Sequence, residues 1–424
     1  MKICFIFAFR QKIFKSHIMA YQEVNRTSYG KNVGNSFRGI FTGLILVIIA
    51  TILIFWNENR AIKTYKALGR AQDACVEMPD ISTVSPEFDG KTVHCTGIAS
   101  TNETVSDPEF GVRENAISIS REVEYYQWVE HSETTKKEKL GGATEETTTY
   151  TYEKKWVSSP QASAKFKDPA YQNSNFVYQV VEEKDFDAEN VSFGAYRLPD
   201  FVIRSIRGNE PAEVKMDEAT HQQLNNAVKR QLGLDEDINA DYVFVENNVV
   251  YLGASMDRPD VGDVRITFTY VPNDQQISLI ANVKGNTFEK YVDKKNGKTV
   301  SCVEMGEKSA DQMFEDMKHG NKMLTWIVRA ILMLIIIAGF RKMFALVPTL
   351  LKVLPFLGKG VGSILGFACT IIGVVWTFIF IAIAWIAVRP VLAIILLVCA
   401  VALIVFLASR SKKKTADTEL TETN

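Results

Sequence analysis

Histidine is scarce in this 424-residue chain. Its five copies, His17, His94, His131, His221 and His319, never fall at metal-ligand spacing. There is no glycine-rich phosphate loop, no HExxH and no nucleophile elbow. The motif-bearing forms of metal hydrolysis, nucleotide chemistry and serine hydrolysis are thereby excluded, and no cofactor is implied. The adjacent His94 and Cys95 lie in a strand-like stretch, where neighbours point to opposite faces, so they do not form a reactive pair. Cysteine is also sparse. Of Cys4, Cys75, Cys95, Cys302, Cys369 and Cys399, the last two sit inside apolar runs, where they act as small hydrophobes. Three lie in the polar middle of the chain without framework spacing. One disulfide among Cys75, Cys95 and Cys302 and three free thiols both remain open.

Charge is missing from long stretches. Residues 39–56, 360–388 and 391–408 contain no Asp, Glu, Lys, Arg or His, and residues 323–340 contain only Arg329. Roughly 20 apolar helical residues cross a hydrocarbon core about 30 Å thick. The expected fold is therefore a polytopic α-helical membrane protein with four spans, one plus three. A large, strand-rich α+β extramembrane domain is inserted at 57–322. Spans without mid-depth ionisable groups argue against a pump or an ion-coupled transporter. Arg329 is the candidate intramembrane polar residue, placed to snorkel or to face a neighbouring helix.

The basic residues sort by position. Seven precede the first span against the single acid Glu23, and Arg341, Lys342, Lys352 and Lys359 lie between the second and third spans. Arg410, Lys412, Lys413 and Lys414 follow the fourth. Positive flanks stay cytoplasmic. Segment 1–38, the elbow 341–359 and the tail 409–424 are thus expected inside, and 57–322 across the membrane. The Arg389-Pro390 turn between the last two spans falls on the other side and dissents. The opening MKICFIFAFRQKIFKSHIMA has too short an apolar run and no small-residue cleavage site for a signal peptide. Residues 1–18 are expected to precede a true start at Met19, and an N-terminal peptide from them in the mature protein would refute this.

Of 48 Lys and Arg, 7 precede the first span and 10 follow residue 322; of 49 Asp and Glu, 1 and 3 do so. The middle block carries about 14 net negative charges, which argues against nucleic acid as its partner and against the domain lying flat on anionic lipid. Its pattern is mostly strand. Val264, Ile266, Phe268 and Tyr270 alternate with polar residues, and Ile277, Leu279, Ala281 and Val283 repeat this after a turn at Pro272-Asn273-Asp274. Segments 124–130 and 147–157 read as a long hairpin with a protruding Gly141-Gly142 tip, and 90–99 as a further strand. Residues 217–232 form a helix. Stalks continue the first span over 59–68 and lead into the second over 309–322, the latter opened by a Ser309/Gln312 capping box. Gly358, Gly362 and Gly366 share one helix face and are candidates for close helix packing. The preceding segment, Met343 to Leu357, is apolar but broken by Pro348 and Pro355, and reads as an interfacial elbow.

From about Ile40 onward, several segments carry a resemblance. They are NENRAIK (57–63), GKTVHCTG (90–97), SDPEFGV (106–112), VEYYQWVE (123–130) and PDVGDVRITFTY (259–270). The entry to the second span with Trp326 and Arg329, and Arg389-Pro390, complete it. In order and spacing the chain resembles the transmembrane protein 43 (LUMA) family. The resemblance implies no established enzymatic activity, self-association, and residence in the endoplasmic reticulum and inner nuclear membrane in a eukaryote. There, family members are linked to lamins and emerin. In a prokaryote it implies the plasma membrane. The expected function is a non-enzymatic membrane scaffold, homo-oligomeric in the lipid bilayer, that docks unidentified membrane or extracytoplasmic proteins through its domain. The alternatives are a channel or conductance-regulating subunit, and a membrane-tethered hydrolase with an unrecognised site.

Overall fold

Two long helices carry the chain out of its apolar runs and into its polar middle. In the computed structural model, which describes residues 20–353 and 355–385 together with Ile395, Val398, Val401 and Ala402, helix α1 spans Tyr29–Ala74. Its 46 residues make a rod of about 69 Å, far longer than the apolar run it contains. Ser28 caps it, accepting from the Lys31 amide, and a preceding strand β1 covers Tyr21–Thr27. The expected stalk is thus the last part of α1, which ends in strand β2 (Cys75–Glu77).

The domain strands follow the alternation. Strands β3 (Thr92–Ser100), β4 (Ala116–Glu138) and β5 (Thr144–Val157) include the expected hairpin, whose Gly141 and Gly142 adopt positive φ at the tip. Helix α2 (Glu218–Leu232) starts on its Asp217 cap and stops at Gly233 in the left-handed region. Strands β6 (Val243–Glu246), β7 (Val249–Leu252) and β8 (Val264–Pro272) join β4 in one antiparallel sheet, ordered β1-β5-β4-β8-β7-β6. Val264, Ile266 and Phe268 are fully buried, while Arg265 on the opposite face pairs with Glu124. Strand β9 (Gln275–Lys284) belongs to a second sheet, between β3 and β10 (Cys302–Met305). The Pro272-Asn273-Asp274 turn, with Asp274 at positive φ, therefore passes the chain from one sheet to the other instead of closing a hairpin.

Strand β9 also departs from simple alternation, because both of its faces are covered. Ile277, Leu279, Ala281 and Val283 enter the main core. Ile280 points the other way, into a cluster with Ala67, Leu68 and Ala71 of α1 and Met313 and Phe314 of helix α3 (Ala310–Phe344). The membrane helices thus supply part of the domain's core. The Ser309/Gln312 capping box opens α3 as expected, and Arg70 of α1 pairs with Asp293, whose carboxyl it holds below the usual range.

After α3 the elbow is helical: α4 covers Leu346–Leu351, and α5 already starts at Pro355 and runs to Trp385. Among the described residues three helices, α1, α3 and α5 from Gly360, are long and apolar enough to span a membrane. The expected fourth span, 391–408, and the Arg389-Pro390 turn lie almost wholly outside the described residues. In the bundle, a Cβ on Gly43 would stand 2.5 Å from the Gly339 carbonyl oxygen, and one on Gly373 would stand 3.1 Å from the Ile337 Cα. These glycines let α1, α3 and α5 approach closely.

One arrangement conflicts with the sidedness read from basic flanks. Strand β1 adds to β5 from Tyr21↔Tyr150 to Thr27↔Thr144, making a three-stranded ribbon with the distal part of the hairpin. The ribbon tip meets the elbow: Glu138 pairs with Lys352 at 3.0 Å, and the Gly141 amide donates to the Val353 carbonyl. It also meets the start of α1, where Asn32 Nδ2 donates to the Gly142 carbonyl and Thr144 Oγ1. From Tyr126 to Glu138 the ribbon covers roughly 43 Å, and α1 from Asn32 to Asn57 roughly 38 Å. The ribbon therefore runs beside the whole apolar length of α1. The tip and the elbow, expected on opposite sides of the membrane, are in contact.

Gly43→Leu is expected to overpack the α1–α3 crossing, costing about 1–3 kcal/mol. This should lower the midpoint for heat-induced loss of the monodisperse peak in detergent. Gly69→Ala, on the open stalk, should leave the midpoint unchanged or raise it. Equal behaviour of the two variants would contradict the close crossing.

Candidate functional site

The most concentrated chemistry in the bundle lies where the apolar runs end on the domain side. Arg329 of α3 is buried there and is not snorkelling: its Nε and Nη2 donate to Glu58 Oε1 and Oε2 at 2.7 and 2.6 Å. Glu58 lies on α1 and is 1 % exposed. Trp385 of α5 donates its indole N–H to the same carboxylate. The guanidinium also faces two rings, 4.7 Å from the centre of Trp326 and 5.1 Å from that of Trp385. All three spanning helices thus meet at one bidentate ion pair. Neighbouring polar groups extend the seam: Asn57 Nδ2 donates to the Thr325 carbonyl, Arg60 Nη2 to Thr325 Oγ1, and Asn321 Nδ2 to the Ala61 carbonyl.

A cavity of about 670 Å³ opens beside this pair, between α1 and α3. Ile62, Tyr65, Trp326 and Trp385 form its walls, and Lys66, Lys318 and Lys322 its rim. Its one lining carboxylate, Glu58, is already engaged by Arg329 and Trp385, and His319 also lines it.

The other candidates separate. Gly362 would bring a Cβ no closer than 3.6 Å to Pro348, and Gly366 stands open, so neither makes a close approach within the chain. Gly358 lies in α5, but its surroundings fall outside the described residues. His94 and Cys95 do point apart. His94 Nδ1 meets Glu77 Oε2 at 2.6 Å and Nε2 meets the Lys308 carbonyl at 2.8 Å, so both ring nitrogens are occupied. Cys75, Cys95, Cys302 and Cys369 are free thiols. Burial pushes Cys75 up to about 12 and Cys302 to about 11, and it raises Cys95 as well, so none is an activated nucleophile. Among the described residues, no three His, Cys, Asp or Glu side chains are grouped to hold a metal.

Sequence reasoning singled out Arg329 but missed Glu58, 271 positions earlier. The available signal was an acid two residues beyond the end of the first span, on the same polar flank that the arginine-bearing span enters from. Removing one partner of a buried pair leaves an uncompensated charge and costs about 3–5 kcal/mol. Arg329→Gln and Glu58→Gln should each lower the unfolding midpoint sharply in detergent. The double variant should lose clearly less than the sum, and additive losses would show that the pair is not coupled.

A sequence profile of the family described as transmembrane protein 43 matches residues 125–390. The rat transmembrane protein 43 is 29 % identical over 84 % of this chain and 86 % of its own length. The human protein is 28 % identical over 88 % and 90 %, and a Drosophila melanogaster homologue 24 % identical over 74 % and 80 %. No solved structure matches. With the profile covering more than half of its length, the chain belongs to the transmembrane protein 43 family.

Proposed function

We propose that this protein is a non-enzymatic membrane organiser that self-associates and offers its acidic domain to partner proteins. The observation that supports this best is the polar ribbon beside the apolar bundle. Its distal residues, His131 to Glu138 and Thr144 to Thr149, are polar on both faces, so no lipid-facing side exists as it would in a membrane barrel. Open sheet edges and charged side chains are not solvated by hydrocarbon. Further copies of the chain would shield the ribbon, with ribbons turned toward one another and the apolar faces of α1, α3 and α5 turned toward lipid. Gly362 and Gly366, open on α5, supply a face for such a neighbouring helix. Organisation fits better than catalysis, since Glu58 and Arg329 are spent on each other and the Cys75 and Cys302 thiols are held protonated.

The same ribbon favours a second reading, a conductance subunit whose ribbons line a shared aqueous path. The Arg329 pairing removes the charge on which an anion-favouring constriction would have rested. Mass measurement of the complex extracted in mild detergent tests what both readings share. A discrete multiple of the protomer mass is expected, reduced toward one by Gly362→Leu combined with Gly366→Leu. A strict monomer would overturn both. Silent planar bilayers with an intact oligomer would leave the organiser alone.

A further inference from the structure

We infer that the cavity between α1 and α3 is a headgroup site for an anionic phospholipid, taken from the leaflet on the domain side. This does not depend on self-association. Four features of the cavity converge on such a ligand. The first is depth: it opens beside residues 58–66 and 318–329, straddling the domain-side ends of the apolar runs of α1 and α3. That is the level of the headgroups, marked by half-exposed Trp56, Tyr65 and Trp326, the aromatic types that settle at a membrane interface. The second is size: about 670 Å³ lies within the range of about 300–1,000 Å³ found for small-ligand sites, enough for a phosphate-bearing headgroup.

The third is charge. Lys66, Lys318 and Lys322 rim the cavity, and neither Lys66 nor Lys322 is ion-paired among the described residues. Glu58, which would repel an anion, has both oxygens engaged, Oε1 by Arg329 and Oε2 by Arg329 and Trp385. The field at the mouth is therefore cationic, and its floor is a neutral pair. The fourth is the wall. Ile62 and the Trp326 and Trp385 rings give an apolar surface continuous with the lipid-facing side of the bundle, along which acyl chains can lie. A zwitterionic lipid would satisfy depth and wall but would bring its own cation against the lysine rim. A water-soluble phosphate would satisfy only the rim.

The test uses the full chain in lipid nanodiscs made of phosphatidylcholine with a minor fraction of phosphatidylglycerol, followed by native mass spectrometry of the released complex. The wild type should retain phosphatidylglycerol well above its share of the bilayer. Lys66→Gln with Lys322→Gln should reduce that retention roughly 10- to 30-fold, since each lysine near an anionic surface adds about a five-fold preference. Lys66→Arg with Lys322→Arg should retain it, which separates lost charge from lost folding. Retention in proportion to bilayer composition, or retention unchanged in the glutamine variant, would overturn the assignment. So would displacement of the lipid by millimolar glycerol phosphate, which would mark a soluble phosphate site.

Discussion

Hydrocarbon offers no hydrogen bonds and little dielectric screening, and the organisation of this protein follows from that constraint. Every polar group at membrane depth must find its partner inside the protein. In the bundle the solution for its buried ion pair is local. Arg329 would be costly alone, but Glu58 accepts from its Nε and Nη2, and Trp385 adds a second donor to Glu58 Oε2. The cost of burying two charges is offset only because the geometry is bidentate and the extra donor is in place. The pair therefore ties α1, α3 and α5 together at one point.

The same helices reach beyond the membrane and become part of the domain. Ala67, Leu68 and Ala71 of α1 and Met313 and Phe314 of α3 cover the back of β9, which places Ile280 in a core shared by stalk and sheet. His94 adds a polar tie, bridging Glu77 at the exit of α1 and Lys308 at the entry of α3. A shift in how α1 and α3 cross would be felt in the sheet, since the two stalks and the strand share side-chain contacts and have no linker between them.

Much of this was legible in the sequence, and the limits have physical causes. Strands such as Val264–Pro272 were readable because one face is buried and one solvated. The α3 start was readable because Ser309 and Gln312 carry the capping chemistry in four residues. Strand β9 looked like its neighbour, but the stalks cover its second face, and no local pattern records what packs on a strand from elsewhere. The sorting of β8 and β9 into different sheets was hidden for the same reason, as was β1, whose polar YQEVNRT gains strand structure only by pairing with β5. Glu58 and Arg329 lie 271 residues apart, so the site required the fold before it could be seen. Residues 158–183 make few regular ladders and are held by side chains such as Asn175, which bonds both the Trp128 amide and its carbonyl. Such a segment has no period to read.

The ribbon is where the constraint bears hardest, because its tip meets the elbow while its length runs beside apolar helices. An open polar sheet at that depth requires water or protein around it, and this links the monomer's geometry to assembly. The direct test is a cysteine pair, Glu138→Cys with Lys352→Cys, oxidised in native membranes before any detergent is added. A rapid intramolecular cross-link that neither single variant gives is expected. Failure to cross-link, with the two thiols labelled by a membrane-impermeant maleimide from opposite sides, would show that ribbon and elbow are separated by the bilayer and would contradict the account.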